Sequence, residues 1–157
     1  MVSPTRPMSA VTTRPATQAD YQFLYTLHKR ALGPYVEATW GWDEASQGKH
    51  FRDAWEPTAN QVVLLGGEPI GCLRVEAHDD HVFVDYIALI PEHQRYGIGA
   101  SLMRQLQAAA ATPGLPVRLN VLKVNPARAL YERLGFAVVG EDDVRWSMES
   151  PIEAGAG

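Results

Sequence analysis

Gln94-Arg95-Tyr96-Gly97-Ile98-Gly99 follows an apolar run, Tyr86-Ile87-Ala88-Leu89-Ile90, that ends at Pro91. It opens a segment in which Ile98, Leu102, Leu106 and Ala109 recur at helical spacing. The order is therefore buried strand, loop, helix. A helix start leaves backbone N–H groups without acceptors, and the helix dipole adds partial positive charge there. That combination binds anions, phosphate above all. Gly97 and Gly99 carry no Cβ, so a bulky diphosphate can come close to the backbone. Gln94 and Arg95 can add side-chain donors. Two glycines alone would make only a tight turn, but a turn does not require this order of elements. A P-loop needs Gly-Lys-Ser/Thr, and the chain has no such triplet. A dinucleotide fingerprint needs three glycines after the first strand of a parallel array, and the strands before this loop read as hairpins.

Outward from the loop, the chain reads as mixed α/β with one central, mostly antiparallel sheet flanked by helices. A short strand is expected over Ala10 to Arg14. Thr17 caps a helix with Asp20 in its first turn, Phe23, Leu24, Leu27 and Ala31 line one face, and Gly33-Pro34 is expected to stop it. A second helical piece from Tyr35 to about Trp55 is rich in aromatics. Val62 to Leu65 and Ile70 to Glu76 form strands around Gly66-Gly67, and His81 to Ile90 forms a long one. After the helix from Gly97 to Ala111 come a strand (Val117 to Val121), a helix opened by Asn125-Pro126, and a hairpin around Glu141-Asp142-Asp143. One domain spans 11–149, between tails at 1–10 and 150–157.

The composition excludes several classes. The chain of 157 residues has 14 basic and 18 acidic residues and a net charge of -4, without the basic stripe of a nucleic-acid binder. No apolar run reaches the ~18 residues of a membrane span. The start lacks a secretory layout, and the single cysteine, Cys72, sits in an apolar run as core filler. A cytoplasmic location fits these features. The five histidines show no ligand-pair spacing, so no metal is expected.

The loop matches the Gln/Arg-x-x-Gly-x-Gly/Ala signature of the GNAT superfamily of N-acetyltransferases, with Pro91 ahead of it. Asn125-Pro126-Ala127-Arg128-Ala129-Leu130-Tyr131-Glu132-Arg133-Leu134-Gly135-Phe136 resembles the family's later helix, which ends in Tyr-Glu-x-Leu-Gly-Phe. Arg14-Pro15-Ala16-Thr17-x-x-Asp20 resembles its opening. The resemblance implies a GNAT-like fold and transfer of acetyl from acetyl-CoA directly to a primary amine of a small molecule or peptide. The backbone of Ile87, Ala88 and Leu89 would hold the pantetheine arm, and Gln94, Arg95, Tyr96, Gly97, Ile98 and Gly99 the pyrophosphate. Asn125 would touch the cofactor, and Tyr131 would protonate the departing thiolate, where charge develops. Tyr131 also fits as a packing aromatic on an amphipathic helix. Paired dimers are common among similar proteins. A non-catalytic acyl-CoA-binding module of the same fold would carry the same loop; thiol release across varied amines separates the two.

The amine must lose a proton. Asp85, between Val84 and Tyr86 and two residues before Ile87, is the first candidate base, although a strand acid can also face solvent or pair with an arginine. Glu37 is the second. Tyr35, Glu37, Trp40, Trp42, Asp43 and His50 cluster in one stretch. There Glu37 and Asp43 could attract a cation and the tryptophans could stack on it, or the tryptophans could be core residues of a helical pair.

Overall fold

The computed structural model describes residues 11–151, so the expected tails lie outside it except for 150 and 151. Its strands are β1 (Val11–Pro15), β2 (Gln61–Leu65), β3 (Glu68–Ala77), β4 (Val82–Leu89), β5 (Val117–Leu122), β6 (Ala137–Glu141) and β7 (Arg145–Ser150). Its α-helices are α1 (Tyr21–Trp40), α2 (Glu44–Asp53), α3 (Ile98–Ala111) and α4 (Ala127–Arg133). One seven-stranded sheet has the order β1-β2-β3-β4-β5-β7-β6. Every pairing is antiparallel except β4 with β5, which α3 joins as a crossover. The mixed, mostly antiparallel sheet is as the sequence implied, with β7 closing on the buried Ser150.

The helix expected to stop at Gly33-Pro34 does not. It runs on to Trp40 with Pro34 inside it. The proline removes one backbone hydrogen bond and disfavours the helix by about 3 kcal/mol. Leu24, Leu27 and Ala31 are nevertheless buried along one stripe, Val36 is buried beyond the proline, and Pro34 faces solvent. Burying that stripe outweighs the local stop signal. The break falls instead after Gly41, so the expected helix from Tyr35 to Trp55 becomes the end of α1, a corner, and α2. The Glu44 carboxylate fixes this corner by accepting bonds from Tyr25 Oη (2.7 Å), Trp42 Nε1 (3.0 Å) and Lys29 Nζ (2.8 Å).

The core divides between the two faces of the sheet. On one face, α3 and α4 pack Ile98, Leu102, Met103 and Tyr131 on Val84, Leu89, Leu119 and Val121. On the other, α1 packs Leu24, Leu27 and Ala31 on Val62, Cys72 and Ala88. Cys72 is core, as expected, and burial pushes its thiol up to about 12.

Two irregularities shape the sheet's centre. Opposite Arg74 stands Tyr86, but opposite the next residue, Val75, stands Val84, so Asp85 is an extra residue, a β-bulge. β4 pairs with β5 only through Val82, Phe83 and Val84. From Asp85 to Leu89, β4 has no neighbour on that side, and the sheet opens into a gap. On the other side, Ile90 N–H bonds the Ile70 carbonyl at 2.8 Å. By the alternation of an antiparallel ladder, Ala88 also turns its backbone toward β3, whereas Ile87 and Leu89 turn theirs into the gap.

Candidate active site

The lip of the gap is built by the loop that the sequence singled out. After a short 3₁₀ turn, Pro91–His93, the Gln94 side-chain Nε2 donates to the Leu89 carbonyl at 2.9 Å. This ties the loop to the end of β4. Arg95 (φ 69°) and Gly97 (φ 82°) then take the left-handed conformation. For Gly97 that conformation is cheap; for Arg95 it costs about 1–2 kcal/mol, strain that no residue type announces in the sequence. The first helical bond of α3 runs from Ser101 N–H to the Gly97 carbonyl at 3.0 Å. The N–H groups of Ile98, Gly99 and Ala100 therefore lack helical acceptors. No side chain caps them, and the first turn contains no acid. A Cβ on Gly99 would stand 4.0 Å from Leu89 Cδ1, so this bare helix start lies directly against the end of β4. Tyr96 lies on the rim, 64% exposed.

Tyr131 belongs to the same buried cluster as Leu89, Ile98 and Val121, with its ring 5.9 Å from that of Phe136. Burial pushes its phenol up to about 12, so it is protonated at neutral pH. Asn125 Oδ1 accepts the Ala127 N–H at 2.9 Å, where it opens α4 and leaves its amide nitrogen as a donor. Asp85 pairs with Arg74 at 3.2 Å, and Arg74 also donates to Asn60 Oδ1 at 3.1 Å.

The residues expected to meet an acceptor do not all come together. Trp40 is 54% exposed at the end of α1, with the Arg145 guanidinium 5.1 Å from its ring centroid. Arg145 was not singled out from the sequence. It opens β7 opposite Leu122, the last residue of β5. α1 also touches β4, through His28 and Tyr86. β5 lies between β4 and β7, so the second half of α1 crosses above the gap. Tyr35 is half-buried on that half of the helix, and Glu37 is exposed. Trp42 instead packs near Gly33 and His28 with its N–H on Glu44, a structural position. Asp43 accepts from Ser46 Oγ at 2.6 Å at the start of α2, and His50 is exposed in the last turn of that helix. A separate open groove of about 530 Å³ lies beside β3, lined by Glu56, Glu76 and Arg74 among others. It lies where β3 runs on past its pairing with β2, beside the short 3₁₀ turn Pro57–Ala59. Among the described residues, no His/Cys/Asp/Glu group could hold a metal, and no helix is long and apolar enough to cross a membrane.

The Acetyltransferase (GNAT) family profile matches residues 21–136, and the chain belongs to that family. No curated protein matches it by sequence. The PaiA N-acetyltransferase of Thermoplasma acidophilum, solved in complex with coenzyme A, superposes with a TM-score of 0.73 at 16% identity, covering 90% of this chain and 98% of that one. The Escherichia coli ribosomal-protein-S18-alanine N-acetyltransferase gives 0.64 at 23% identity, covering 90% and 94%. An acetyltransferase of Thermus thermophilus gives 0.70 at 21% identity, covering 90% and 97%. At these identities the likeness concerns the fold.

Proposed function

We propose that the chain transfers acetyl from acetyl-CoA directly to a primary amine. The observation that carries this reading is the uncapped, acid-free start of α3 beside the unpaired edge of β4. The two halves fit the two halves of the donor. Three free N–H groups next to glycines suit a diphosphate. The free N–H groups of Ile87 and Leu89 and the Ile87 carbonyl suit an amide-bearing arm laid along β4 as a short extra strand. The Leu89 carbonyl is already held by Gln94, which stiffens the end of that edge. When bound, the donor supplies a thioester carbon for the amine to attack. Tyr131, a buried phenol with no ionised neighbour shifting it, is the proton donor for the departing sulfur. α1 roofs the gap and limits water, and Tyr35, Trp40 and Arg145 frame the entry of the amine.

Calorimetric titration with acetyl-CoA tests the binding half, and thiol release across a panel of primary amines tests the transfer half. Saturable heat together with amine-dependent thiol release is expected. No heat at sub-millimolar acetyl-CoA would overturn the reading.

A further inference from the structure

We infer that Tyr86 and His28 form the proton-accepting pair for the acceptor amine, Tyr86 meeting the amine and His28 taking the proton through it. This rests on the acetyl-transfer reading and supplies the half of the reaction that the glycine loop and Tyr131 leave open.

Three placements lead to it. Tyr86 directly precedes Ile87, whose backbone opens into the gap, and directly follows the Asp85 bulge. Its side chain points to the opposite face from α3, among Leu24, Phe51 and Trp55, the face that α1 roofs. Its hydroxyl lies 3.3 Å from His28 Nδ1, in the middle of α1. Tyr35 lies two turns further along the same helix, toward the Trp40–Arg145 contact. On this proposal the amine enters beneath α1, past Tyr35, and meets the Tyr86 hydroxyl. The sequence candidate Asp85 is instead held in an ion pair by Arg74.

The ionisation states suit the task. Burial holds His28 below the ordinary histidine value; the nearby His50 adds to this, and a hydrogen bond from the ring to Gln47 opposes it. The ring is thus neutral at neutral pH and can accept a proton. Burial, with Cys72 nearby, pushes the Tyr86 phenol up, against the pull of Arg74. Tyr86 therefore does not hold a negative charge itself, and it passes on a proton only as fast as His28 accepts one.

The step balances. The amine's electron pair forms the new C–N bond, and its N–H proton moves to Tyr86 Oη. The Tyr86 O–H proton moves to His28 Nδ1, which becomes imidazolium. The C–S bond breaks with its pair on sulfur, and Tyr131 donates the proton that sulfur takes. Solvent then reprotonates Tyr131 and deprotonates His28.

The test measures thiol release from acetyl-CoA by the full chain with spermidine, L-lysine amide and an alanyl peptide amide, each alone, from pH 5 to 9. Tyr86→Phe and His28→Gln should each lower kcat/KM at least tenfold while leaving the acetyl-CoA Kd within about twofold. His28→Gln should also erase the acidic limb of the profile that wild type shows with the same amine, so the ionisation of the amine itself cancels. In wild type, the His28 ring proton resonance followed by NMR should titrate in that limb and move in Tyr86→Phe. This readout does not need an active variant. Retention of kcat/KM and the limb in both variants overturns the pairing. So does removal of the limb by Asp85→Asn or Glu37→Gln alone, which would place the base there. If wild type binds acetyl-CoA but releases thiol with none of the amines, the acetyl-transfer reading itself falls.

Discussion

Gly71→Ala should damage both the fold and the donor site through one atom. Gly71 lies on β3 opposite Leu89, beside a second register shift in which β2 passes from Val63 to Leu64. A Cβ there would stand 2.4 Å from the Ala88 carbonyl oxygen and 2.6 Å from Leu89 Cδ2. The leucine methyl can rotate away, but the carbonyl cannot: it belongs to the backbone of β4 and faces β3. Relief therefore requires β3 and β4 to separate at the residues whose other edge forms the gap. Overpacking of this kind costs about 1–3 kcal/mol, and contact with backbone favours the upper end. At about 3 kcal/mol the midpoint of thermal unfolding should fall by roughly 6–12 °C for a domain of this size. Acetyl-CoA affinity should fall with it. Thermal unfolding followed by circular dichroism and calorimetric titration measure both effects. A midpoint within about 2 °C of wild type would refute the close approach, and an unchanged Kd in a destabilised variant would refute the link between β4 and the donor site.

Gly99→Ala provides the contrast. Its Cβ would meet only Leu89 Cδ1, at 4.0 Å, and otherwise open space. Alanine in a helix is favoured over glycine by up to about 1 kcal/mol, so this variant should unfold at an equal or higher temperature. The added methyl nevertheless occupies the approach to the free N–H groups, so acetyl-CoA should bind more weakly. Gain of stability with loss of affinity distinguishes a ligand cradle from a simple turn.

Three further outcomes follow from the remaining geometry. Asp20, held by Arg14 at 2.8 and 2.9 Å and by Thr17 N–H at 2.8 Å, has its carboxyl lowered from 3.8 to about 2. Because the folded value is the lower one, its contribution of about 2 kcal/mol is present above pH 4 and lost as pH falls toward 2; urea unfolding at stepped pH should show this slope, and Asp20→Asn should flatten it. Tyr131→Phe should lower kcat about 100-fold or more, as loss of a general acid does, with the acetyl-CoA Kd nearly unchanged; unchanged turnover removes the acid role. Trp40→Ala should change stability by less than about 0.5 kcal/mol, because the ring is exposed, yet raise KM for the amine; an unchanged KM with every amine would remove Trp40 from the acceptor entry.

What could be read in the chain and what could not divides along sequence distance. The strand, loop and helix around Gln94 to Gly99 were legible because their parts are neighbours: an apolar strand, two glycines and a periodic helix. The hairpin at Gly66-Gly67 was legible for the same reason. The course of α1 was not, because Gly33-Pro34 is a genuine local stop signal and only burial against the sheet overrides it. The Asp85 bulge was not legible either. A bulge is a property of two paired strands, and the count of residues between Val84 and Tyr86 becomes anomalous only once Val75 and Arg74 stand opposite.

That bulge is also where the fold and the proposed chemistry meet. Below it, Val82 to Val84 pair with β5 and close the sheet. Above it, the pairing ends, the backbone of Ile87 and Leu89 turns to the gap, and Tyr86 turns to the face that α1 covers. The bulge thus stands between the closed and the open part of the β4 edge, where the proposed donor lies, and directly precedes Tyr86, which the proposal places against the acceptor. Removing Asp85 altogether should leave Tyr86 opposite Arg74 and Val84 opposite Val75 as consecutive residues, restore regular pairing, and extend β4–β5 contact past Val84. The shortened chain should therefore fold at least as stably as the wild type yet bind acetyl-CoA poorly. A deletion variant that keeps its affinity would show that the gap is held open by α3 and its loop, and that the bulge is incidental to it.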